Sequence, residues 1–281
     1  MDPKPTTAQS ASDYENHKLE YDASTFTNDP YVSLEPMEWG RIVVWTPPDV
    51  SYIGKELQVE DGKEIPVVVS DRFRILTFRD GKAAIILEDQ NGEMHESPME
   101  YAVGFRIHPG QKYGIKTEGK TRVVEGSELR PNVNVERSKF TTEPFVAVDY
   151  SKPWGNEPIF SKKSEGDPIA MKILHIEQDG WLSLQAHAVK VESYYMSYGD
   201  CDMVMENTNR ELTDFPLEYD KGYTTHVGQR HRHKGRTRMD VFEVSTPEDG
   251  STTWRIEDKY ARKDQTDEVR RQERQQYLGE D

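Results

Sequence analysis

The chain has 281 residues, enough for one large or two moderate domains, with 34% hydrophobic and 31% charged residues and a net charge of -15. That acidity excludes a general nucleic-acid binder, which needs surplus Lys and Arg to neutralise phosphates. The single cysteine, Cys201, excludes an intramolecular disulfide and suits a reducing compartment. No apolar run approaches the roughly 18 residues of a membrane span, and Met1 to Asp13 lacks the apolar core of a secretory signal. A cytoplasmic protein with no nucleic-acid and no membrane partner is expected.

Residues 1–33 are polar, rich in Thr, Ser and Asp, and read as a disordered or loosely draped arm. From Arg41 to Ser127 the pattern becomes short strands, for example Arg41 to Trp45, Lys55 to Glu60 and Lys82 to Leu87. Asp61-Gly62, Asp80-Gly81 and Asn91-Gly92 punctuate them as turns. The domain they form spans 34–130, and the less patterned residues 131–150 read as a linker. Strand signals fill a second domain over 151–262. Residues 263–281 read as a short C-terminal helix and tail, capped by Asp264 or Thr266, with a thin apolar stripe. Many short strands between frequent turns predict an all-β protein built of sandwiches or barrels.

The chain repeats itself. A shift of 118 positions places Gly81 on Gly199, and His108, Gly110 and Gln111 on His226, Gly228 and Gln229. Val123, Glu125 and Ser127 fall on Val241, Glu243 and Ser245, and Glu38-Trp39-Gly40 mirrors Pro153-Trp154-Gly155. Glycines and turn residues dominate the match, as a shared backbone path would require. Two tandem copies of one β-barrel follow.

The second copy carries the strongest chemical signal. Gln185, His187, Glu192 and His231 offer an amide oxygen, a carboxylate and two imidazoles, a donor set suited to a divalent metal. Gln185 and His187 are two apart on a predicted strand, so both face the barrel interior. Alternation along Arg230-His231-Arg232-His233 turns both histidines inward and both arginines outward. The same shift places Val67, Val69, Arg74 and Tyr113 at the four positions in the first copy, a set that cannot hold a metal.

The second copy resembles the cupins, and specifically the cupin domain of type II mannose-6-phosphate isomerases. Lys152-Pro153-Trp154-Gly155 is similar to that domain's opening Arg/Lys-Pro-Trp-Gly, and Leu182 to His187 to its Leu-Ser-Leu-Gln-x-His strand. Lys190 and Glu192 stand at its Arg and Glu positions. His226 to His231 resembles the second cupin motif, Pro-x-Gly-x-x-His, with His226 in place of Pro. Arg255 to Arg262 resembles Arg-Phe-Glu-Asp-x-Tyr-Gly-Arg. The chain departs from the family at Ala188-Val189, where a run of histidines is usual, at Ser193, usually His, and at Gly235, usually Asn.

The resemblance implies a bicupin: tandem double-stranded β-helix (jelly-roll) barrels, the first degenerate, with a polar N-terminal arm and a C-terminal helix. It implies a divalent metal, Zn²⁺ first, with Mn²⁺, Fe²⁺ or Ni²⁺ as alternatives, held by Gln185, His187, Glu192 and His231. It implies aldose–ketose isomerisation of a small sugar phosphate, with Glu192, His226 or Glu257 as base and Lys190 in the catalytic set. Lys190, Arg255 and Arg262 are the expected phosphate clamp. Trp154 either stacks on the sugar or plugs the barrel end. The alternatives are another metal cupin enzyme, such as an epimerase or dioxygenase, or a non-catalytic sugar-binding or assembly bicupin. A homodimer is the expected oligomer.

Overall fold

The computed structural model describes residues 11–132, 134–161, 166–247 and 253–260, so Arg262 and the expected C-terminal helix lie outside the described residues. The chain divides into two compact units. One holds 31–149 and 158–161; the other holds 1–30, 150–157 and 162–281.

The first unit runs through β1 (Ser33–Met37), β2 (Gly40–Val44), β3 (Tyr52–Val59), β4 (Ile65–Val69), β5 (Arg74–Asp80), β6 (Ala83–Glu88), β7 (Met94–Pro98), β8 (Val103–Ile107), β9 (Lys112–Thr117), β10 (Thr121–Glu128) and β11 (Phe145–Val146). These make a seven-stranded sheet, β1-β2-β3-β10-β5-β8-β11, and a four-stranded sheet, β4-β9-β6-β7. Trp39, Leu57, Leu76, Ile85, Phe105 and Ile115 belong to its apolar core.

The second unit opens on α1 (Ala11–His17). It continues with β12 (Val148–Lys152) and β13 (Gly155–Ile159), of which 148–149 and 158–159 are counted in the first unit, then β14 (Ala170–Ile176), β15 (Leu184–His187), β16 (Glu192–Tyr198), β17 (Cys201–Glu206), β18 (Leu212–Pro216), β19 (Gly222–Thr225), β20 (His231–Gly235), β21 (Met239–Ser245) and β22 (Thr253–Glu257). Its sheets are β12-β13-β14-β21-β16-β19 and β18-β17-β20-β15-β22. The sheet order of the first ten strands of one copy is repeated by the first ten of the other, as the internal repeat requires.

The final strands differ. β11 pairs with β8 in the larger sheet, whereas β22 pairs with β15. β15 is thereby flanked by β20 and β22, while β4 ends its sheet and leaves Val67, Val68 and Val69 exposed. Alternation is clearest in β20, where His231, His233 and Gly235 are buried and Arg232 and Lys234 are half-buried.

Two expectations on boundaries are corrected. From residue 11 onward the N-terminal segment is not a loose arm: α1 packs beside β22, and Tyr14 is fully buried against Ala186 and Trp254. Aromatic burial fixes it, since a ring that size removes a large apolar area from water. The expected linker 131–150 belongs to the first unit up to residue 149, and it carries β11. Trp154 is buried in the second barrel's core with Leu174, Ile176 and Leu182.

Candidate metal centre

β15, β16 and β20 deliver three donors to one point inside the second barrel. His187 ends β15, Glu192 begins β16 and His231 begins β20, and all three are buried. Their ligand atoms lie within 4.8 Å of one another. His187 Nε2 is 3.2 Å and His231 Nε2 3.0 Å from the same oxygen, Glu192 Oε2. Gln185, paired across the sheet with His231, has its amide nitrogen 3.4 Å from His187 Nε2.

The imidazoles are oriented from behind. His231 Nδ1 donates to the Gln229 carbonyl at 2.9 Å, which leaves a lone pair on Nε2. Among the described residues that Nε2 makes no well-aligned hydrogen bond, although Glu192 Oε2 is 3.0 Å away. A lone pair facing a carboxylate oxygen at that range calls for a cation, either a proton or a metal ion. The donor set fits a divalent metal on this observation. His187 Nδ1 lies 3.0 Å from Thr253 Oγ1 on β22, the kind of outer contact that fixes a ligating ring.

The protonation states fit as well. Burial pushes the His187 imidazole below its ordinary value, against the opposing pull of Glu192. Burial alone would raise the Glu192 carboxyl, but His187 and Lys190 outweigh it and hold it well below the usual carboxylate range. A neutral imidazole and an ionised carboxylate are the forms a metal binds.

Lys190 is not a free phosphate clamp. It is 2% exposed, and its Nζ is 2.5 Å from Glu192 Oε1 and 2.8 Å from Glu243 Oε1. Glu257 is not a base at this site either. The register slips between the Leu184–Glu257 and Gln185–Arg255 pairs, and this bulge turns Glu257 to the outer face. There it accepts from Arg232 Nη2 at 2.6 Å, with its side chain 60% exposed. Arg255 is opposite Gln185 on β22, on the face that carries the ligands. His226 is half-buried in the loop after β19, with its backbone nitrogen donating to Gln229 Oε1 at 2.9 Å.

Sequence reasoning missed three members of the site. Tyr194 belongs to the core, but its hydroxyl donates to Glu192 Oε2 at 2.5 Å. Thr253 and Glu243 act through His187 and Lys190. Strand alternation from Glu192 to Tyr194 places both on one face, which was the available signal for the tyrosine.

In the first barrel the matching interior is closed by an ion pair. Arg74 Nη1 donates to Glu125 Oε1 at 2.5 Å, Arg74 Nε donates to Ser70 Oγ at 2.9 Å, and the guanidinium stacks 5.7 Å from the Tyr113 ring centre. The counterparts of Gln185 and His187 are Val68 and Ser70, not Val67 and Val69. Val68 pairs with Tyr113 as Gln185 does with His231, and Gly110 N donates to the Ser70 carbonyl at 2.7 Å as Gly228 N does to His187.

No family model and no curated protein matches the chain. Solved structures do resemble it. Oxalate decarboxylase of Lactobacillus farciminis, in a formate complex, shares 12% identity at a TM-score of 0.63, over 84% of this chain and 88% of that one. Procruciferin, an 11S globulin of Brassica napus, shares 10% identity at a TM-score of 0.65, over 82% and 86%. Bacillus subtilis oxalate decarboxylase, described by its Mn(II) centres, shares 10% at 0.59, over 85% and 77%. Identities this low establish the fold alone: two jelly-roll barrels in tandem, the bicupin fold.

Proposed function

We propose that the second barrel is the divalent-metal centre of an enzyme acting on a small, oxygen-rich anion. The observation that carries this reading is the convergence of His187, His231 and Glu192 Oε2, with the buried Nε2 of His231 aimed into the cluster. Mixed imidazole and carboxylate donors suit Zn²⁺ and Mn²⁺ alike, and Gln185 is the adjoining fourth candidate. A bound ion would supply Lewis-acid polarisation of substrate oxygens.

The chain's own residues then have separable roles. Lys190 and Tyr194 hold the two oxygens of Glu192 apart, so the carboxylate is fixed rather than free to collect protons. Arg255 is the charged group in register beside Gln185 and would anchor the anionic end of the substrate. With Glu192 enclosed and Glu257 outside, His226 remains the candidate base for a proton transfer.

The finer reading is aldose–ketose isomerisation of a sugar phosphate. Its support is the ordered motifs from Lys152-Pro153-Trp154-Gly155 to Arg255-Ile256-Glu257-Asp258. A homodimer and a cytoplasmic location belong to the same reading. The competing reading is a binding or assembly bicupin in which the ion is structural; the withdrawal of Lys190 between two carboxylates favours it. Metal-loaded protein assayed with mannose-6-phosphate separates them. Fructose-6-phosphate formation that is lost in Arg255→Ala supports the isomerase, and metal-bound protein with no turnover supports the binding reading.

A further inference from the structure

We propose that the N-terminal segment is a strap that positions the metal ligands from outside the barrel, with Tyr14 as the positioning residue. The proposal rests on the metal-centre reading. α1 lies beside β22, and Tyr14 packs on Ala186 and Trp254. Ala186 and Trp254 are paired across the sheet, each one residue from a ligand-side partner, His187 and Thr253. The strap therefore covers the outer face of the strands whose inner face carries the site.

Tyr14 also reaches the loop that orients the histidines. Its hydroxyl is 3.0 Å from the Gly228 carbonyl and 3.1 Å from Glu206 Oε2, so the one proton is shared between two acceptors. The Gly228 nitrogen donates to the His187 carbonyl at 2.7 Å. The next carbonyl, Gln229, accepts from His231 Nδ1 at 2.9 Å. One hydroxyl thus holds the Gly228-Gln229 loop, whose neighbouring peptides contact both candidate histidines. Glu206, its second acceptor, fixes the same loop by accepting from Arg230 N and Arg230 Nε, each at 3.1 Å. Gly228 has φ +79°, and a Cβ there would meet Tyr21 Cγ at 2.1 Å, so Tyr21 closes the loop from the same segment.

The first barrel shows that this cover is a recurring requirement. Its equivalent glycine, Gly110, is closed by Val135, and Gln111 Nε2 donates to the Thr141 carbonyl at 3.0 Å. There the covering residues follow the barrel in sequence; in the second barrel they precede it by more than a hundred residues. Contacts made directly to a ligating ring typically change metal affinity by about 10- to 100-fold, and Tyr14 acts one step further out, so the low end of that range is expected.

Tyr14→Phe keeps the ring on Trp254 and removes only the hydroxyl. In metal-free protein, amide exchange at Gly228 should quicken by about fivefold or more, as expected for a locally loosened loop, while amides of β14 and β21 keep their rates. Mn²⁺ affinity should fall by about tenfold, and the visible spectrum of the Co²⁺-loaded variant should shift. Unchanged exchange at Gly228 overturns the strap. Faster exchange with unchanged Mn²⁺ affinity and an unchanged Co²⁺ spectrum overturns the positioning role. Absence of Mn²⁺ binding in the unaltered protein is a failure of the metal-centre reading, and the exchange result still decides the strap.

Discussion

The two barrels take the same path and fill the same interior differently. In both, a buried glutamine folds back on its loop: Gln111 Oε1 accepts from His108 N, and Gln229 Oε1 accepts from His226 N. In both, a buried glutamate receives the next residue, Lys112 at Glu88 and Arg230 at Glu206. The difference begins one layer deeper. The first barrel supplies its own permanent cation, Arg74, opposite Glu125. The second puts Glu192 at that place and surrounds it with two imidazoles, Lys190 and Tyr194. The lesson is that the scaffold needs a closed electrostatic set inside, and that a guanidinium closes it without chemistry.

The comparison is most severely tested by removing that cation. Arg74→Ala leaves Glu125 buried without its main partner, and loss of one half of such a pair costs about 3–5 kcal/mol. Urea denaturation should show the loss, while Mn²⁺ binding by the second barrel stays as it was. A loss under 1 kcal/mol would mean that the ion pair is not what closes the first barrel.

The next effect belongs to the second barrel. Mn²⁺ at a hundred times its Kd should stabilise the unaltered protein by about 2.7 kcal/mol. The His187→Ala and His231→Ala double variant should gain nothing. Equal stabilisation of both would place the ion elsewhere.

A third effect concerns His233, which stands where the first barrel has Ile115. Its ring is buried, with neither nitrogen hydrogen-bonded among the described residues, and burial pushes its pKa down to about 3. Between pH 6.5 and about 3 the unfolded chain takes a proton that the folded one refuses, so stability falls as pH drops through that window. The slope is about 1.4 kcal/mol per pH unit. The lowered His187 adds in the same direction just below pH 6.5. His233→Ile should flatten the metal-free profile by about that slope. Identical profiles would show that His233 is protonated in the folded state.

The smallest effect is expected at Glu257. Glu257→Gln removes an exposed pair with Arg232, worth about 0–1 kcal/mol. Metal affinity and any turnover should be unchanged. A large loss of activity would return Glu257 to the catalytic set.

Much of this was legible in the chain. The repeat showed because turn glycines hold their places, and the candidate ligands showed because strand alternation forces Gln185 with His187 and His231 with His233 to one side. The alignment slipped at Ser70 because the connection from β4 to β5 is one residue shorter than its counterpart, which no fixed shift can represent. Lys190 looked free because nothing in its neighbourhood reveals Glu243, which comes from β21. Tyr14 was read as part of a loose arm because its acceptor Glu206 is 192 residues away. Glu257 was misplaced because a bulge reverses the face of every residue after it.

In the proposed function one barrel holds a metal and its sister does not. The direct measurement is the number of Mn²⁺ ions bound per chain at saturation, by equilibrium titration with elemental analysis, in the unaltered protein and in the His187→Ala and His231→Ala double variant. One ion per chain is expected in the unaltered protein and none in the double variant; two ions per chain, or one retained in the double variant, would overturn the assignment of the metal to the second barrel.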